Sequence, residues 1–142
     1  MIVHGRPIGV RHQGGQRFAI RIREHELTVD QPRSAGGEDA GPSPTELFVG
    51  SLVGCVAHYG HKFLARHEVS GEISAEADWW VDLEAERLTR AVIRVQAPPL
   101  PPELEAGFRQ AVDHCLVHNT MRQEPDVAIE VASRADAPAA VG

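Results

Sequence analysis

Cysteine, lysine and aromatic residues are scarce in this chain of 142 residues. Two cysteines, Cys55 and Cys115, cannot make the disulfide framework that holds small secreted scaffolds together. Lys62 is the single lysine and the other basic residues are arginines, a bias of genome composition more than of chemistry. A net charge of −6 excludes the basic face that binding to nucleic-acid phosphates requires. No apolar run is long enough to span a bilayer, and MIVHGRPIGV at the start has neither an apolar core nor a cleavage-like site. The expectation is a cytoplasmic protein with no membrane or nucleic-acid partner. In that reducing compartment a cysteine pair is more often catalytic or metal-binding than structural.

What is present is ordinary for a globular domain: 42% hydrophobic and 24% charged residues. One domain over residues 1–142 is expected, frayed in the Ala- and Pro-rich tail from 134 to 142. Val3 to Asp30 alternates as a meander of two or three antiparallel strands, turning at Gly14-Gly15. Phe18, Ile20 and Ile22 lie on one face, and Arg17, Arg21 and Arg23 on the other. QPRSAGGEDAGPSP (31–44) is a turn-rich loop.

A long helix then starts at Ser43. Ser43 as N-cap, Pro44 in the first turn and Glu46 at the third position form a capping box. Leu47, Phe48, Val49, Leu52, Val53 and Val56 make its first half apolar nearly all round, which predicts a central helix buried on several sides. Gly50 and Gly54, one turn apart, admit another backbone. His58, His61, Lys62 and Arg66 return the second half to water. Residues 71–99 read as a β-hairpin turning near Glu84–Arg87. PELEAGFRQAVDHC (102–115) is an amphipathic helix, LVHNTMRQEP holds a second short one, and DVAIEVAS (126–133) is a final edge strand. Strands, long helix, hairpin, helices and strand in that order define an α+β fold.

Cys55 lies twelve residues past the N-cap, about 18 Å along the axis, beyond reach of the helix dipole. Burial alone leaves a thiol inert, so reactivity needs a cation from elsewhere. A buried cysteine can equally be a small hydrophobe. Cys115 opens two further readings. Cys55-x-x-His58 and Cys115-x-x-His118 place four ligands at spacings that could hold a tetrahedral zinc. Alternatively the two thiols form a dithiol that cycles through a disulfide. His114 and His118 flank the second thiol, where an imidazolium would lower its pKa.

GPSPTELFVGSLVGC joined to HCLVHNT sixty residues later resembles the OsmC/Ohr family (osmotically induced protein C and organic hydroperoxide resistance proteins), as do the preceding loop and the order of elements. VHNT is similar to its less characterised OsmC-like branch. The resemblance implies an intertwined homodimer with active sites near the subunit interface. It also implies a thiol-dependent peroxidase that needs no cofactor or metal. Cys55 would attack an organic hydroperoxide, Cys115 would resolve the sulfenic acid, and a lipoyl-type dithiol would restore both. The family places a carboxylate ten residues before the first cysteine to steer an arginine onto the thiolate. Here Thr45 holds that position and Glu46 follows it, so Glu46 is the candidate carboxylate and Arg17 the candidate arginine, with Arg11 as substitute. Leu116 stands where the family commonly has proline. The alternative is an OsmC-like redox-sensing or zinc-binding protein (Cys55, His58, Cys115, His118) without peroxidase turnover.

Overall fold

A computed structural model describes residues 1–134. The N-terminal meander forms β1 (Ile8–Gly14), β2 (Arg17–Ile22) and β3 (His25–Val29), an antiparallel sheet in the order β1-β2-β3. Gly14 and Gly15 take φ of +112° and +54° at the first turn, a region open to glycine at no steric cost. Val10 stands opposite Ile20 and Ile20 opposite Leu27, so the apolar side chains of all three strands share one face. That face is largely uncovered: Ile8, Val10, Phe18 and Leu27 are all exposed.

The loop after β3 is organised by Asp30. Its buried carboxylate accepts backbone N–H bonds from Gln31 (2.8 Å), Glu38 (3.1 Å) and Ala40 (3.0 Å). These amides, Ala40 foremost, with the Arg17 charge, outweigh the cost of burial and hold the carboxyl below its usual range.

Helix α1 (Pro44–Arg66) begins as its sequence dictates. The Glu46 amide donates to Ser43 Oγ at 3.2 Å, and the Ser43 amide donates to Glu46 Oε1 at 2.9 Å. The hairpin β4 (Ser74–Asp82) and β5 (Arg87–Gln96) closes through Asp82 Oδ1, which accepts from the Glu84 and Ala85 amides. Then follow α2 (Pro102–Asp113) and α3 (Leu116–Arg122). Helix α1 packs on α2, α3 and the hairpin. At Gly60 a Cβ would collide with the end of Ile73, just before β4, and crowd Val112 and Phe108 of α2, so the absent side chain lets α1 pack closely here. Phe63 and Phe108 meet edge-on beside it, ring centroids 5.8 Å apart.

Two sequence expectations need correction. Within the chain α1 buries one stripe, Val49, Leu52, Val56, Gly60 and Leu64, and not its whole circumference. Phe48 is 47% exposed and a Cβ at Gly50 or Gly54 would meet only open space. The apolar composition is there, but no second wall among the described residues covers it. The expected final strand over 126–133 is also absent: those residues form no ladder, and Val127, Ile129 and Val131 are 73%, 86% and 91% exposed. A strand needs a neighbour to exchange hydrogen bonds, and none adjoins this segment among the described residues. Of the tail expected to fray from 134, residues 135–142 lie outside the described ones.

Candidate active site at the junction of the three helices

The two thiols, sixty residues apart in the chain, meet where α1, α2 and α3 converge. Cys55 sits half-buried in the third to fourth turn of α1, and Cys115 is fully buried between α2 and α3. Both are reduced and both belong to one cluster with Leu52, Val56 and Val112. Burial pushes the Cys115 thiol up, and a hydrogen bond to the Cys55 sulfur and its charge push it further. The His118 and Val117 amides oppose this only in part.

The corner that carries Cys115 is extensively bonded. Cys115 is the N-cap of α3, its Sγ accepting from the His118 amide at 3.4 Å. The His118 ring Nδ1 lies 2.9 Å from the Asp113 carbonyl oxygen, which can only accept, so that nitrogen carries the proton. Arg122 Nη2 donates to Asp113 Oδ2 at 2.8 Å, tying the end of α3 to the end of α2. His114 and His118 stand 3.8 Å from the same carboxylate. Arg122 above all holds that carboxyl below its usual range.

The remaining candidates fall elsewhere. Arg17 Nη1 pairs with Glu38 Oε2 at 3.3 Å, on the loop that Asp30 organises. Glu46 is engaged in the α1 cap, and the Ser43 amide chiefly accounts for its lowered pKa. Thr45 is exposed in the first turn, and Arg11 stands opposite Ala19 on the outer strand, exposed. The four-ligand zinc reading fails on geometry. His58 is exposed with its ring edge-on to Tyr59. Among the described residues no group of three His, Cys, Asp or Glu side chains is placed to hold a metal ion.

Sequence reading missed the Asp113–Arg122 tie, because a pair nine residues apart across a helix break has no periodic signature. It also missed Asp30, although an aspartate closing a strand before a Gly/Pro loop is a recognisable amide acceptor. Beside the thiols opens a cleft of about 880 Å³. Leu52 and Val56 form part of its floor, Ile93 and Val95 a wall, and Arg90 and Arg109 part of its rim. Neither sulfur lines it; the side chains flanking them do.

The family model of OsmC-like proteins matches residues 36–130, which span the loop, both cysteines and all three helices. The chain belongs to that family. Solved structures share the fold at low identity. A Psychrobacter arcticus protein described under osmotic stress and detoxification response is 20% identical, with a TM-score of 0.74 over 84% of this chain and 91% of its own. An OsmC-like protein from Mycoplasma pneumoniae is 11% identical, with a TM-score of 0.72 over 87% and 91%. An organic hydroperoxide resistance protein from Elizabethkingia anophelis is 18% identical, with a TM-score of 0.65 over 87% and 93%. No curated protein matches significantly.

Proposed function

We propose that this protein reduces organic hydroperoxides through a Cys55/Cys115 dithiol–disulfide cycle. The observation that carries the reading is the packing of both cysteines into one cluster, with burial asymmetry separating their roles. Cys55, half-buried among Leu52, Val53 and Val56, is the thiolate that attacks the O–O bond; an alcohol leaves and Cys55 becomes a sulfenic acid. Cys115, already beside it, condenses with that acid, releasing water and forming the disulfide. A dithiol of the lipoyl type takes up the oxidising equivalents. The hydroperoxide-resistance description of a structural neighbour supports the same direction.

Ionising Cys55 takes a cation; we assign it to Arg17, which within one chain pairs with Glu38 away from the thiols and would reach them only from a second copy. The carboxylate that steers it is then Glu38, its partner at 3.3 Å, and not Glu46, which serves the helix cap. We further propose the homodimer. The apolar face of β1–β3, the Phe48 side of α1 and the exposed Val127, Ile129 and Val131 are the surfaces a second copy would cover.

The test is mass spectrometry after one equivalent of cumene hydroperoxide. The expected product is an internal disulfide that is two hydrogens lighter. Cys115→Ser protein should stop at a dimedone-trappable sulfenic acid on Cys55. A Cys55→Ser protein that still turns over ends the reading.

A further inference from the structure

We infer that the corner between α2 and α3 is a seat for the Cys115 sulfur that makes reduction of the disulfide directional, the reductant entering only at Cys55. The inference rests on the dithiol reading above and names the chemistry of its return step. Thiol–disulfide exchange needs in-line approach, the incoming sulfur, the attacked sulfur and the leaving sulfur lying along one axis. Cys115 has no exposed surface, and this burial is complete within a single chain, so it does not depend on a second copy. Approach to Cys115 would have to come through the packed cluster of Leu52, Val56 and Val112. Cys55 is only half-buried within the chain, the more accessible of the two thiols.

The step balances. A thiolate attacks Cys55 Sγ, the bond between Cys55 and Cys115 breaks, and a new disulfide joins Cys55 to the reductant. The electron pair departs on Cys115 Sγ, which the His118 amide meets at 3.4 Å, and the incoming thiol's proton, released to solvent, restores the Cys115 thiol. The reductant's second thiol then attacks its own bound sulfur and frees Cys55 thiolate, leaving as a cyclic disulfide. Burial alone makes a poor leaving group, so access decides the direction here and not leaving-group acidity.

The seat is held from outside by Asp113 and Arg122, which we assign as positioning residues. Arg122 reaches back nine residues to Asp113 at 2.8 Å, and His118, whose amide caps the sulfur, hydrogen-bonds the Asp113 carbonyl at 2.9 Å. The tie therefore fixes where the first turn of α3, and with it the sulfur, stands relative to α2.

The experiment oxidises the full-length chain with diamide, which needs no peroxidase activity. It then adds 2-mercaptoethanol briefly, blocks the freed thiol with iodoacetamide and maps both modifications by peptide mass spectrometry. The mercaptoethanol adduct is expected on Cys55 and the alkyl group on Cys115, by about tenfold or more. Arg122→Gln should lower that ratio severalfold and Arg122→Lys should restore it, a partition that a change in fold stability alone does not move. Adduct on Cys115, or an even split in the unaltered chain, overturns the inference. A partition unchanged in Arg122→Gln removes Asp113 and Arg122 from it. A chain that diamide oxidises but an alkyl hydroperoxide does not would end the peroxidase reading while leaving the adduct position decisive. Failure of diamide to link the two thiols overturns both.

Discussion

Asp30 is the residue whose chemistry reaches furthest beyond its own position. Three amides from the following loop converge on its carboxylate, and the same loop carries Glu38 to Arg17. Asp30, Glu46 and Asp113 all have folded-state pKa values held below their ordinary ones. The native state therefore binds fewer protons than the unfolded state wherever these groups titrate. Their contribution is fully present above the ordinary carboxylate range and is lost as pH falls through the lowered folded values. Thermal melts between pH 7 and pH 3 should show a Tm falling in the acid limb, less steeply for Asp30→Asn. That variant should start lower at neutral pH, because one acceptor of its amide cannot replace a carboxylate. An acid limb as steep in Asp30→Asn as in the parent would refute the assignment. At the same scale, Glu38→Gln should slow peroxide consumption by roughly tenfold by weakening the steering of Arg17, a loss worth about 1.4 kcal/mol in the barrier. Glu46→Gln should leave that rate nearly unchanged. Stopped-flow kinetics with cumene hydroperoxide separates them.

Helix α1 shows how much of an element is local. Its start was legible in Ser43-Pro44-Thr45-Glu46, and both reciprocal hydrogen bonds of the cap are present. Replacing Ser43 by Ala should cost about 1 kcal/mol, read from urea unfolding. Its glycines are not interchangeable. Gly60 faces Ile73, Val112 and Phe108, so Gly60→Ala should overpack the contact with α2 and destabilise by about 1–3 kcal/mol. Gly50 faces open space within the chain, and Gly50→Leu should spare the fold of the protomer but weaken self-association. Denaturant midpoints at low concentration and sedimentation at high concentration distinguish the two. Sequence periodicity marked both faces of α1 as apolar but carried no information about which wall each one meets. The segment 126–133 illustrates the same limit. Alternation in Val127, Ile129 and Val131 marks strand character, yet a ladder is a property of two segments, and no strand among the described residues pairs with this one.

At the scale of the whole molecule, exposed apolar surface is the dominant feature. A sheet with Ile8, Val10, Phe18 and Leu27 uncovered, together with an open flank on α1, is the surface the proposed second copy would cover. The expected mass in solution is twice the 15.5 kDa of the chain, measured by sedimentation equilibrium across a wide concentration range. A monomer that persists at high concentration would remove the dimer. No helix among the described residues is long and apolar enough to cross a membrane, in line with the scattered apolar positions.

The sequence by itself determined the elements through α3 and their order, the α1 cap, the turn glycines and the identity of the two thiols. Each depends on interactions within a few residues, where spacing and backbone preference suffice. Only the tertiary structure decided which groups meet: Cys55 with Cys115, Arg17 with Glu38, Asp113 with Arg122, and not His58 or His118 with a shared metal. Such pairings follow from how helices and loops pack, and packing is set by shape and burial summed over the chain. A thiol's depth and its neighbours are therefore properties of the fold, which no short stretch of residues contains.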